Sequence, residues 1–328
     1  MSVSNSTTEP VLSPYATGVS LTAWSAASKY KTMWRLWDQL RSQPLSYSPG
    51  YSNEMSLEPR LQSPPWSQND LRALGKALRD DTQPPSKAPD YEEVLAWYLD
   101  FSGDVLQYLE NLDWAPLGLT ATPGTSRPKT IGTLVEKLRR DPSTPLQNVG
   151  DLAGVRIDAE MTLSVQTAFA ESVAAMVRDE VGEKNVFIKD LRDGDHSGYR
   201  AVHVLAKFPA GRCEIQLRTR LQSAWANAYE LLAMIVGRGI RYGESPSIVP
   251  ARGLVESMQR QSGTLASLEV QADRLGGLSQ VSESGEEDTR EILKSKYNEN
   301  KQVEERIVQS LKETEHALLA MVKGDRDD

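Results

Sequence analysis

The stretch from Leu152 to Thr219 constrains the fold more than any other part of the chain. Within it, LAGVRID (152–158), NVFIKD (185–190), YRAVHVLAKF (199–208) and RCEIQLRT (212–219) are rich in apolar and β-branched residues and have the length of strands. Only Pro209, Ala210 and Gly211 separate the last two, which makes them an antiparallel hairpin. A helix near 162–181 lies between the first two. A sheet with helices on it follows, of α+β or mixed α/β class.

The flanks differ from this middle. Fifteen of the 18 prolines fall in the first 150 residues, so that part is cut into short helices joined by loops. Residues 1–20 are Ser/Thr-rich and are expected to be disordered or loosely attached. Residues 21–41 carry Trp24, Trp34, Trp37 and Leu40 at roughly helical spacing. Ser67 is a good cap for a helix through Arg79, with Leu71, Leu74 and Leu78 on one face. A second helix is expected from about Pro89 to Asp113, with a soft spot at Ser102-Gly103. After the sheet, residues 220–236 read as helix. The tail reads as one helix near 251–275, a polar stretch from Gly276 to Asp288, and a helix at about 289–323 with Val303, Ile307, Leu311, Leu318 and Val322 as its seam. The expected organisation is an N-terminal extension (1–60), a central domain (61–250) and an acidic helical tail (251–328).

Composition narrows the function classes. Cys213 is the only cysteine among 328 residues, which excludes a disulfide scaffold and fits a reducing cytoplasm. The longest apolar runs, 231–236 and 317–322, have six residues each, far short of the ~20 a membrane span needs. No signal peptide is visible, because residues 1–20 lack a basic start and an apolar centre. A net charge of −8 argues against a generic polyanion binder. The charge is uneven, however: residues 127–140 hold five basic residues and one acidic, a place where an anion could be held.

Three groups of residues could carry chemistry. In the second hairpin strand Cys213, Ile215 and Leu217 point one way, and Glu214, Gln216 and Arg218 the other. The preceding strand adds Tyr199 and His203 to what a shared register makes the same face, denser in hydrogen-bonding groups than a solvated surface requires. Asp151, just before LAGVRI, reads as a turn residue or, should its strand lie near that of Glu214, as half of a carboxylate pair able to share Mg²⁺. Arg127 and Lys129 lie in a loop before a helix that begins near Thr130 and carries Lys137, Arg139 and Arg140. No Walker loop, zinc spacing or nucleophile elbow is present.

Taken in order, RPKTIGTLVEKLRR, DLAGVRI, SGYRAVHV and EIQLRT followed by Trp225-Ala226 resemble the RelA/SpoT synthetase domain over roughly 120–236. The resemblance implies a nucleotidyltransferase-like mixed sheet that moves the β,γ-pyrophosphate of ATP onto a ribose 3′-hydroxyl with Mg²⁺. Arg127, Lys129 and Lys137 then match the ATP-binding cations. Asp151 and Glu214 match the metal-binding and catalytic acids, and Tyr199, His203, Gln216 and Arg218 the acceptor pocket. The acceptor implied is GDP or GTP, giving the alarmone (p)ppGpp. The alternatives are an adenine nucleotide, or the tRNA 3′ end in a toxin held by an antitoxin, with basic candidates Arg139, Arg140 and Arg192 for the acceptor stem. From another class comes an inactive synthetase fold kept as a nucleotide sensor. Small family members also suggest a homo-oligomer. The loop RDGDHSGY departs from the family pattern, with Asp195 where a Lys is usual and Ser197 where an Asn often stands, which leaves the acceptor open between these choices.

Overall fold

The structure, a computed structural model, describes residues 58–119, 124–126, 131–194, 197–247, 251–281 and 287–324, all within one compact unit, Ser52–Asp328. The Trp-rich helix expected at 21–41 lies outside the described residues, as do Arg127, Lys129, Asp195 and His196.

Five strands form one mixed sheet in the order β1-β2-β5-β4-β3. They are β1 (Gly124–Ser126), β2 (Ala153–Ala159), β3 (Val186–Asp190), β4 (Val202–Phe208) and β5 (Gly211–Thr219). β2 runs parallel to β5, and the other neighbours are antiparallel. The α+β architecture read from the sequence is the one observed, including the hairpin of β4 and β5.

Helices α1 (Gln68–Asp80), α2 (Tyr91–Glu110), α3 (Ile131–Arg140) and α4 (Leu163–Val181) share a core with the apolar sheet face. Ser67 caps α1 through a reciprocal capping box with Asp70. α2 runs unbroken through Ser102-Gly103, where Phe101, Val105 and Leu109 are packed in the core and the Ser102 hydroxyl bonds the Leu99 carbonyl and the Ser126 hydroxyl. Phe101 of α2 meets Phe208 of β4 edge-on at 5.5 Å. Strand β2 alternates strictly, with Val155 and Ile157 in this core.

A second core joins α5 (Arg220–Val236) to the tail helices α6 (Arg252–Val281) and α7 (Glu287–Gly324). α6 continues past residue 275 through Gly276-Gly277, so the tail's polar stretch begins six residues later than its composition suggests. In α7 the buried seam is Val308, Leu311 and Leu318, with Val303 only half-buried. Trp225 of α5 donates to the Met258 carbonyl of α6 at 2.8 Å and stacks on Tyr229, whose hydroxyl accepts from Gln259. Among the described residues no helix is long and apolar enough to cross a membrane.

Because Leu311 is 1% exposed in this second core, Leu311→Ala should lower unfolding stability by about 2–5 kcal/mol, read from the urea midpoint.

Candidate active site

Registry builds the site. Thr125 pairs with Arg156, Arg156 with Gln216, Gln216 with His203, and His203 with Lys189. Directly paired residues share a face, so one row crosses all five strands. Glu214 and Arg218 flank Gln216 on the same face of β5, opposite Gly154 and Asp158 of β2. Gly154 brings no side chain beside Glu214.

The polar side chains of this face close a ring. Glu214 Oε1 accepts from His203 Nδ1 at 3.1 Å and from Gln216 Nε2 at 2.9 Å. Gln216 Oε1 accepts from Arg218 Nη2 at 2.8 Å, and the same nitrogen donates to the Tyr199 hydroxyl at 2.8 Å. Tyr199 Oη lies 2.9 Å from His203 Nε2, which completes the circuit. With Nδ1–H donating to Glu214, Nε2 is left to accept the tyrosine hydroxyl. The Arg218 guanidinium also sits 5.0 Å from the centre of the Tyr199 ring. Among the described residues its Nε is a buried donor with no hydrogen-bond partner.

Electrostatics follow from this wiring. Burial pushes the Glu214 carboxyl up, but the hydrogen bonds from His203 and Gln216 help to offset it, and the group is held below the usual carboxylate range. Asp151 acts on Glu214 in the opposite sense, raising it by like-charge repulsion, so the two acids lie within electrostatic reach. Burial raises the Tyr199 hydroxyl, against the pull of Arg218 and Arg156.

Tyr199 does not stand on the strand, as the sequence pattern suggests. β4 starts at Val202, and Tyr199 sits in the preceding loop, which carries its hydroxyl to the site. That loop is held by the tail. Gly198 has φ of 85°, and a Cβ there would lie 3.0 Å from Ser262 Cβ of α6 and 3.2 Å from the Trp225 ring. Ser262 donates to the Gly198 carbonyl and accepts from Arg200 Nε. Tyr199 itself packs against the α5–α6–α7 core.

Lys137 reaches from α3 to Asp151 Oδ1 at 2.7 Å, so the cation expected to bind phosphate and the acid expected to bind metal meet. Leu134 and Leu138, buried on the adjoining face of α3, anchor the helix against the core. Arg156 was not among the residues singled out by sequence. It faces Gln216 and donates to Asn227 Oδ1 of α5 at 3.1 Å. The alternation of LAGVRIDA carried the signal, since it sets Gly154, Arg156 and Asp158 on the side opposite the buried Val155 and Ile157. Asp158 in turn accepts from Ser223 of α5.

The donor set suits Mg²⁺. Asp151 and Glu214 offer hard carboxylate oxygens, and among the described residues no cluster of three or more ligating side chains forms a protein cage. Two carboxylates plus substrate phosphates is the arrangement this ion favours.

A mixed sheet with one apolar face and one face of paired acids, cations and a tyrosine defines the class as α+β and its polar face as the candidate site. A model of the region found in RelA / SpoT proteins matches residues 126–231. An uncharacterized protein of Mycobacterium tuberculosis (strain H37Rv) is 48% identical over 215 residues, covering 63% of this chain and 76% of that one. An uncharacterized protein of Mycobacterium bovis matches to the same extent. The chain belongs to the RelA/SpoT family. Among solved structures, the small alarmone synthetase 1 from Bacillus subtilis is 21% identical, with 58% of this chain and 97% of that chain covered and a TM-score of 0.43. A GTP pyrophosphokinase family protein from Streptococcus pneumoniae is 20% identical, with 62% and 96% covered and a TM-score of 0.38.

His203→Ala removes the hydrogen bond that helps hold Glu214 low. The Glu214 carboxyl should then titrate higher than in the wild type, followed by carboxyl-carbon NMR. An unchanged midpoint would show that His203 does not tune it.

Proposed function

We propose that the chain is a pyrophosphokinase that transfers the β,γ-pyrophosphate of ATP to the ribose 3′-hydroxyl of GDP or GTP. The observation that carries this reading is the closed ring from Glu214 through His203, Tyr199, Arg218 and Gln216, beside Asp151 and Lys137. Such a transfer depends on positioning and charge neutralisation more than on covalent chemistry with the protein.

In this reading the 3′-oxygen attacks the β-phosphorus, the bond from that phosphorus to the bridging α-phosphate oxygen breaks, and AMP leaves with the bridging oxygen. Glu214, kept ionised, accepts the hydroxyl's hydrogen bond and then its proton. His203 and Gln216 fix the carboxylate by holding Oε1. Lys137 sets a positive charge next to Asp151, where phosphate oxygens would arrive, and Arg127 and Lys129 would join it on ATP. Tyr199 and Arg218, with its spare Nε–H, would hold the acceptor nucleotide. Asp151 and Glu214 would hold Mg²⁺, whose chemistry here would be neutralisation of phosphate charge.

Small nucleotides are favoured over a tRNA acceptor by the state of two of the three basic candidates; the third, Arg140, lies over the Tyr242 ring at 3.8 Å. Arg192 is engaged by Asp190 and the Leu163 carbonyl, and Arg139 donates to the Arg79 carbonyl. Both are tied within the chain rather than offered to a phosphate backbone.

With γ-labelled ATP and Mg²⁺, label should appear on GDP or GTP, and Glu214→Gln should cut transfer at least about 100-fold while the fold is kept. Label on deacylated tRNA alone would overturn the acceptor assignment. Label on none of GDP, GTP, ATP or tRNA would overturn the reaction.

A further inference from the structure

Ser262 of α6 lies in a buried stripe with Met258, Leu265 and Glu269. Within a helix a serine hydroxyl readily bonds the carbonyl four residues back, as Ser267 of the same helix does with Gly263. Ser262 instead turns its hydroxyl away from its own helix. It donates to the Gly198 carbonyl and accepts from Arg200 Nε at 3.1 Å, so one oxygen grips the loop on both sides of Tyr199.

The helix that carries this serine is fixed to the sheet by other contacts. Two turns on, about 10 Å along α6, Glu269 accepts from the Thr219 hydroxyl, and Thr219 directly follows Arg218 on β5. Glu269 also accepts from Gln222 Nε2 at the start of α5. One turn further, Asp273 accepts from the Ser164 amide at 2.7 Å and from its hydroxyl at 2.8 Å. α6 thus joins the end of β5 to the Tyr199 loop as a strut. The spacing of Ser262 from Glu269 sets where Tyr199 stands relative to Arg218, and the two side chains meet at 2.8 Å. Packing leaves the loop little play, since a Cβ on Gly198 would lie 3.0 Å from that of Ser262. All of α6 lies beyond residues 126–231, which the family model matches.

From this double grip, we propose that Ser262 is a positioning residue for the acceptor nucleotide, acting through Tyr199. The inference rests on the proposed function, in which Tyr199 and Arg218 hold the acceptor. Ser262 is buried behind the loop and is not itself offered to a nucleotide. Without its hydroxyl the loop is freed, and binding of the acceptor then has to order Tyr199, which weakens that binding. ATP, held by Lys137 with Arg127 and Lys129, does not depend on the loop.

Transfer from γ-labelled ATP by the full chain tests this, with GDP varied at saturating ATP and ATP varied at saturating GDP. Ser262→Ala removes one oxygen and leaves the packing. It should raise the acceptor KM at least about tenfold and change the ATP KM less than about twofold. An unchanged acceptor KM, or equal rises in both constants, would overturn the role. Circular dichroism and thermal melting establish that the variant is folded. Hydrogen exchange of the nucleotide-free protein separates the positioning from the reaction. Amides 197–203 should exchange faster in Ser262→Ala, with α6 protected as in the wild type. Equal exchange at 197–203 would overturn the placement of Tyr199 by Ser262, whatever the acceptor. A wild type that transfers no label would instead overturn the pyrophosphokinase reading, and the acceptor role with it, while the exchange still decides whether Ser262 sets the loop.

Discussion

The parallel pairing of β2 with β5 is the constraint on which the site depends. Its register, Ala153 with Cys213 through Ala159 with Thr219, sets Arg156 against Gln216 and Asp158 against Arg218, and carries Asp151 to the neighbourhood of Glu214. A slip of one residue would turn Glu214, Gln216 and Arg218 into the apolar core and bring Cys213, Ile215 and Leu217 out of it. The side chains of Ile215 and Leu217, both fully buried, therefore protect the geometry of the acids as well as the stability of the sheet.

Once the register is set, the polar face must satisfy itself. His203 and Arg218 are buried, and each would be costly there without partners. The ring answers this by giving Glu214 Oε1 two donors and the Tyr199 hydroxyl an arginine and a histidine. Side chains so mutually engaged are pre-organised, which is what a reaction governed by positioning requires. The tail belongs to the same device. Ser262 of α6 holds the loop on which Tyr199 sits, and α7 closes over α5 and α6 through Leu311 and Leu318.

Much of this was legible in the sequence, because it rests on period-two alternation. RCEIQLR announced its two faces, the three-residue link announced the hairpin, and the pairing brought Glu214, Gln216, Arg218 and His203 together. Tyr199 was misplaced on the strand, because alternation says nothing about where a strand starts. The left-handed Gly198 and its close approach to Ser262 and Trp225 end the extended run, and those contacts come from residues far along the chain. Arg156 was overlooked although its alternation was in plain view; only the parallel partner reveals that its face is the site. The helix across Ser102-Gly103 and the extension of α6 past Gly276 reflect tertiary packing and local hydrogen bonds overriding weak propensity.

The proposed convergence of Asp151 and Glu214 on one divalent ion can be measured directly by anomalous scattering from crystals grown with Mn²⁺ and a non-hydrolysable ATP analogue. One manganese bonded at about 2.1 Å to an oxygen of each acid, and to phosphate oxygens of the nucleotide, is the expected result. Manganese bound by neither acid, or by one while the other stays tied to its protein partners, would contradict it.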